Sequence, residues 1–448
     1  MSSITQPTTI VIFGISGDLA HRSLLPALQA IAKSGALPEQ TRIVGITRQA
    51  LETHELFEAH DDSAWLEDHL SLFQMNPAET ADYEALKHHL ETIESDFNSP
   101  SQRLFYLSVP PQVSGSIITH LGQSGLANVP HTKLLIEKPF GTDLASAKEL
   151  VTHIRQYFEE SQIYRIDHFL AKEMAQNLVV FRSANALFRS TWNHHFIESI
   201  EVLLHEHIDI EGRANFYEQT GAVRDVLQSH LLQLAALTLM ELPETGDPAA
   251  IPGARLGALQ QLETPTDIDT YTRRGQYAGY RDEVATPHTT VETFASITLH
   301  SSNPTWQEVP ITITTGKALD RTSTEIRLKY RQKHDQEANE LVLRVQPNEG
   351  IEIDLWVKKP GYDRSLEKKP LSFTYDMHYT DLPKAYERVF MDAMRGDHSL
   401  FATSEEAIES WRIIDPILKH WEMIGERGLV TYEKGVTAAV VSELAAQQ

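Results

Sequence analysis

Three stretches carry residue types whose spacing suits chemistry. His230 stands in the run Gly221-Ala222-Val223-Arg224-Asp225-Val226-Leu227-Gln228-Ser229-His230-Leu231-Leu232-Gln233, whose apolar residues recur at helical spacing. An imidazole titrating near neutrality can take the proton from an alcohol as hydride leaves its carbon, provided a carboxylate supports the charge it gains. A satisfied core histidine is the plain alternative. A second run, Arg165-Ile166-Asp167-His168-Phe169-Leu170-Ala171-Lys172-Glu173, is dense in titratable groups. His168 and Lys172 would face one anion together if this segment is helical, and each could equally be a surface group.

The third stretch is Gly14-Ile15-Ser16-Gly17-Asp18-Leu19-Ala20. It follows a β-branched run, Thr8 to Phe13, and precedes a segment in which Leu24, Leu28 and Ile31 recur at helical spacing before Gly35 and Pro38 close it. Glycines in such a strand-to-helix turn let the backbone approach a pyrophosphate held by helix N–H groups. The spacing departs from the three-glycine fingerprint, and a tight turn with Asp18 as a helix cap would use the same residues. The second strand, Arg42 to Ile46, runs into Thr47-Arg48-Gln49, where a carboxylate for a ribose 2′-hydroxyl would stand. Arg48 there suits a 2′-phosphate, which favours NADP over NAD; a solvated arginine is the plain alternative. His205-Glu206-His207 alternates on a strand, so its two histidines oppose Glu206 and no converging metal set forms.

The elements that must position these residues fall into two classes. Apolar runs at Leu104 to Leu107 and Lys133 to Ile136, separated by helical stretches, continue the rhythm of the first two strands and imply a parallel, doubly wound sheet. Beyond Asp167 a helical segment from Lys172 to about Asn185 leads to alternating stretches at Ile197 to Leu204, Thr290 to Leu299 and Leu341 to Ile353. These predict a β+α domain with a mainly antiparallel sheet. The expected division is therefore a Rossmann-like domain over 1–167 and a second domain over 168–448. Glu241 to Tyr280, acidic and turn-rich, reads as surface connection, and Thr403 to Ile424 as a late helix.

The whole chain has 448 residues, 41% hydrophobic and 23% charged, enough for two buried cores. Its net charge of −23 disfavours nucleic acid and anionic membrane surfaces as partners. A phosphorylated small molecule is still allowed, since screening over roughly 8 Å leaves a pocket answering to its own lining. The absence of cysteine removes disulfides, thiol nucleophiles and thiolate metal sites. No secretory signal or apolar run of membrane-spanning length is evident, so a cytoplasmic protein is the expectation.

Taken in order, Gly14 to Ala20, Ile136-Glu137-Lys138-Pro139-Phe140-Gly141, Arg165 to Asn177 and Gly221 to Gln233 resemble the glucose-6-phosphate dehydrogenase family over nearly the whole chain. Gly316-Lys317-Ala318-Leu319 and Arg344 to Glu349 add to the likeness. The resemblance implies oxidation of glucose 6-phosphate to the lactone of 6-phosphogluconate, with NADP as hydride acceptor and NAD as a secondary one. It implies His230 as general base and Asp167 as the carboxylate that orients it. It implies His168 and Lys172 on the 6-phosphate, and Glu206, Asp225, Lys317 and Gln346 on the sugar. Lys138 would lie between substrate and nicotinamide, with Pro139 tuning their approach. Gly14, Ser16, Gly17, Asp18, Leu19, Arg48 and the Ser108-Val109-Pro110 turn would line the cofactor. A homodimer or homotetramer is implied as well. Four positions depart from the family pattern: His21 for a lysine, Phe169 for a tyrosine that helps hold phosphate, Ala171 for a glycine and Thr322 for a cation, with Arg321 beside it. The departures leave open a related dehydrogenase of another 6-substituted hexose, or a non-catalytic NADP-binding relative.

Overall fold

The computed structural model describes residues 4–56, 64–243, 247–332 and 337–447. Two compact units divide the chain: Met1–Gly141, Ala145–Ala171 and Pro383–Ser404 form the first, and Thr142–Leu144, Lys172–Leu382 and Glu405–Gln448 the second.

In the first unit six strands, β1 (Thr8–Phe13), β2 (Thr41–Thr47), β3 (Leu70–Gln74), β4 (Gln102–Leu107), β5 (Thr132–Glu137) and β6 (Ile163–Ile166), lie in the order β6-β5-β4-β1-β2-β3. Every neighbouring pair among them is parallel. All six residues of β1 are buried, as a central strand covered on both faces requires. The two strands that flank β1, β2 and β4, connect away from it in opposite directions, which makes the C-terminal ends of β1 and β4 the switch point where such sheets bind ligands.

The first unit also takes in a segment that contiguity would assign to the second. Helix Ala385–Arg395 buries Val389, Phe390, Ala393 and Met394 along one face, against the core built by β1 and β4. Strand Phe401–Ala402 then pairs antiparallel with β6 and covers the edge that β6 would otherwise expose. Lys133 fastens this return by donating to the helix's last carbonyls, Ala393 at 2.5 Å and Met394 at 3.1 Å. Burial lowers Lys133 to about 8. The unit therefore runs to Ala171 and resumes at Pro383, where a single cut at 167 is expected from the sequence.

In the second unit, the described strands follow the order Leu366–Thr374, Gly350–Lys358, Glu340–Gln346, Ser323–Tyr330, Ile197–His205, Ile311–Gly316, Phe294–Ser301, Thr272–Tyr277, Leu429–Tyr432. The pairing is antiparallel except at two places, Ile311–Gly316 with Ile197–His205 and Leu429–Tyr432 with Thr272–Tyr277. Three expectations change here. Leu341 to Ile353 is two strands of a hairpin, because Asn348 takes φ +56° in a tight turn. The strand expected from Thr290 begins at Phe294. Glu241 to Tyr280 is more than connection: it holds helix Ile251–Gln261 and the sheet strand Thr272–Tyr277. Arg255 within it is fully buried against Glu406, Nε to Oε1 at 2.8 Å, a pairing with a residue 151 positions away that composition alone does not reveal.

Candidate active site

In the first unit, the expected cofactor residues gather at the switch point. Gly14 has φ +79°, and a Cβ there would come within 2.2 Å of the Ser108 carbonyl oxygen. Glycine at 14 is thus required twice, by the left-handed backbone and by the approach of the β1 turn to the end of β4. Gly17 donates its N–H to the Gly14 carbonyl at 3.0 Å and accepts from His21 at 3.2 Å, which closes the turn. Ser16 and Asp18 are exposed and Leu19 half-buried above it. Asp18 does not cap the helix: its carboxylate pairs with Arg22 at 2.7 Å in solvent. Arg48, just beyond β2, is exposed.

At the neighbouring strand ends lie Lys138, which follows β5, and Asp167, which follows β6. Asp167 is 3% exposed, and its Oδ1 accepts the Phe169 N–H at 3.0 Å. The segment from His168 to Lys172 forms turns rather than helix, which starts at Glu173, so helical spacing does not bring His168 and Lys172 to one face. They also belong to different units. Phe169 is buried, as is Ala171, so the apolar ring stands where a hydroxyl would need a partner.

Beside Lys138 is a cluster that sequence reading missed. The Glu137 carboxyl accepts from Tyr106 at 2.5 Å and from Tyr386. Burial raises Glu137 to about 7, opposed by both hydroxyls and by Lys138, while Asp167 adds to the rise. Nothing near Glu137 in sequence signals Tyr386, which arrives on the returning helix.

In the second unit, three of the residues expected on the sugar come together at one end of the sheet's central strands. Strands Glu340–Gln346, Ser323–Tyr330, Ile197–His205 and Ile311–Gly316 are successive neighbours. Register places Gln346 opposite Thr324, Ser323 opposite His205, and Gly316 beside His205. Gln346, Glu206 and Lys317 therefore emerge at the same end. Glu206 accepts from the Lys317 ammonium at 2.6 Å, and that lysine lies 5.5 Å from the ring centroid of Tyr217. Tyr217, also missed from sequence, is fully buried; burial first, then Asp225, Glu292 and Glu206 among its neighbours, hold its phenol well above the usual range.

His230 and Asp225 belong to a helix that is π-wound from Val223 to Leu231 and packs on strands Ile197–His205 and Ile311–Gly316. Such widened turns rotate side chains away from α-helical positions and concentrate at functional sites. His230 is 2% exposed. Lys172 occupies the N-cap position of helix Glu173–Ala184 without a side-chain cap, and the Met174 N–H of that helix donates to Glu349 at 2.6 Å, so Lys172 sits near the turn that follows Gln346. The hydroxyl of Thr322 accepts from the His207 N–H at 3.0 Å. Arg321 lines a cavity of about 480 Å³ on the face of His205, Arg273 and Arg327, and no residue of the Val223–Leu231 helix lines it. No helix among the described residues is long and apolar enough to cross a membrane.

Comparison with known proteins matches this arrangement over its length. Residues 11–177 fit the family model for the glucose-6-phosphate dehydrogenase NAD binding domain, and residues 179–447 the model for the C-terminal domain of the same enzyme. A curated relative, glucose-6-phosphate 1-dehydrogenase of Chlamydia muridarum, is 34% identical, with 93% of this chain and 91% of that protein covered. A solved glucose-6-phosphate dehydrogenase in complex with glucose 6-phosphate superposes with a TM-score of 0.90 at 31% identity, covering 100% of this chain and 99% of the other. Glucose-6-phosphate 1-dehydrogenase from Mycobacterium avium gives 0.84 at 29% identity, over 98% and 97% of the two chains. With both halves matched in order, the chain belongs to the glucose-6-phosphate dehydrogenase family.

Proposed function

We propose that the chain oxidises C1 of glucose 6-phosphate to the 1,5-lactone, with NADP as hydride acceptor. The observation that carries this reading is the full-length likeness to a dehydrogenase solved with glucose 6-phosphate. The Gly14 turn fits a dinucleotide, because glycine there lets the turn after β1 lie against the end of β4 in the strand-to-helix position where such turns hold a pyrophosphate. Gly14, Ser16, Gly17, Asp18, Leu19, Ser108 and Lys138 would hold the cofactor, and Arg48 a 2′-phosphate, with NAD used less well. The bound nicotinamide supplies the site that accepts hydride.

His230 takes the proton of the C1 hydroxyl as hydride departs, and Asp167 supports the imidazolium that forms. Each group is buried within its own unit, Asp167 at 3% and His230 at 2% exposure. Glu206, Asp225, Lys317 and Gln346 orient the sugar, and His168 and Lys172 hold the 6-phosphate through charge-assisted hydrogen bonds. These assignments divide the roles between a cofactor unit and a substrate unit, the first running past the expected cut at 167 to Ala171 and taking back Pro383–Ser404. The exposed Leu355, Val357, Leu366 and Leu371 on the hairpin of Gly350–Lys358 and Leu366–Thr374 support a homodimer or homotetramer. Cytoplasmic residence agrees with a cysteine-free chain.

Initial rates at 340 nm, for NADP and NAD against a panel of hexoses and hexose phosphates, test the reading. Glucose 6-phosphate with NADP should give the highest kcat/KM. A higher value for another 6-substituted hexose would replace the substrate, and cofactor binding with no turnover on any sugar would replace the activity.

A further inference from the structure

The cluster at the end of β5 is built from three distant parts of the first unit. Glu137 ends β5, Tyr106 lies on β4, and Tyr386 comes from the first turn of the returning helix Ala385–Arg395. Two phenolic hydroxyls converge on the one carboxyl, Tyr106 from 2.5 Å. The Tyr386 ring meanwhile lies nearly parallel to that of His168, centroids 6.4 Å apart and planes at 18°, and the Phe169 ring is a second neighbour of the imidazole at 4.9 Å. One side chain thus touches both the carboxyl beside Lys138 and the imidazole assigned to phosphate.

We propose that Tyr386 is a positioning residue of the dehydrogenase, holding the Glu137 carboxyl next to Lys138 with its hydroxyl and bracing His168 with its ring. The inference rests on the activity proposed above. The charged and titratable groups facing Glu137 are Tyr106 from β4, Tyr386 from the returning helix, Lys138 from its own strand end and Asp167 from the end of β6. Both hydroxyls and the ammonium favour the carboxylate, whereas burial and Asp167 favour the acid. Loss of the Tyr386 hydroxyl removes one stabiliser of the anion, so the carboxyl must titrate at higher pH.

Tyr386→Phe keeps the ring and removes the hydroxyl. Its acid limb in the pH profile of kcat should move upward by about one unit, with KM for glucose 6-phosphate changed by less than about twofold. Tyr386→Leu also removes the ring and should raise that KM by about tenfold. Combined with Glu137→Gln, Tyr386→Phe should add no further loss, since both act through one contact. Should Glu137→Gln fail to fold, Tyr106→Phe, the other hydroxyl on the same carboxyl, replaces it in the cycle. A Tyr386→Phe profile that superimposes on the parent, or losses that simply add, would overturn the proposal. If the parent chain turned over no glucose 6-phosphate, the activity reading would fall, and a difference-infrared titration of the Glu137 carboxyl would still decide this one: an unshifted midpoint in Tyr386→Phe refutes it.

Discussion

The Gly14 turn of the first unit and the Glu206, Lys317 and Gln346 group of the second, proposed here to hold cofactor and sugar, would solve recognition in opposite ways. The turn is built from backbone: Gly14, its φ of +79°, and its approach to Ser108 leave main chain where side chains would otherwise stand. The proposed sugar group is built from side chains, Glu206, Lys317 and Gln346, delivered to one end of neighbouring central strands by register. A backbone site fails when a side chain is added and tolerates changes around it. A side-chain site fails when a group is removed and depends on every strand staying in register.

The sharpest test of the side-chain half is His230→Asn, which should lower kcat by about 10²–10⁴-fold while thermal unfolding stays close to the parent. Normal turnover would remove His230 from the mechanism. On the backbone half, Gly14→Val forces a β-branched residue into a left-handed conformation and against Ser108, so the dissociation constant for NADP measured by fluorescence should rise by about a hundredfold. Retained affinity would mean that the turn does not carry the pyrophosphate. Arg48→Ala should lower the kcat/KM ratio of NADP over NAD by about tenfold or more, because a charge-assisted bond to the 2′-phosphate is lost. An unchanged ratio would return Arg48 to the solvated surface. The smallest effect is expected from Phe169→Tyr: a hydroxyl that reaches phosphate should lower KM for glucose 6-phosphate by a factor of about 2–10, and one left unpaired in this buried place should lower stability instead. Those two outcomes tell whether the departure at 169 weakened recognition or only exchanged one packing for another.

Legibility followed the range of the interactions involved. The runs at 8–13, 42–46, 104–107 and 133–136 sit within the observed β1, β2, β4 and β5, because a doubly covered parallel strand is apolar throughout and turn residues bound it. Glu241 to Tyr280 misled for the converse reason: its helix is stabilised by Arg255 reaching Glu406, and its strand Thr272–Tyr277 finds partners at 294–301 and 429–432. The turn between Gln346 and Gly350 was hidden inside a run that alternates on both sides. Of the residues to which roles are proposed, Gly14, Asp167 and His230 were legible as residue types in telling company. Tyr217 and Tyr386 were not, since a tyrosine carries no local sign of the lysine or carboxyl it will meet.

By itself the sequence determined the parallel first sheet, the glycine turn after β1, the mainly antiparallel second sheet and the family to which all of it belongs. Only the tertiary structure decided that 383–404 rejoins the first unit, that His168 to Lys172 is a set of turns, and that two tyrosines share one carboxyl. Strand periodicity and turn chemistry are set by neighbours a few residues apart, so they can be read along the chain. The pairing of a phenol with a carboxyl hundreds of residues away is fixed by how whole faces bury one another, and no short window contains it.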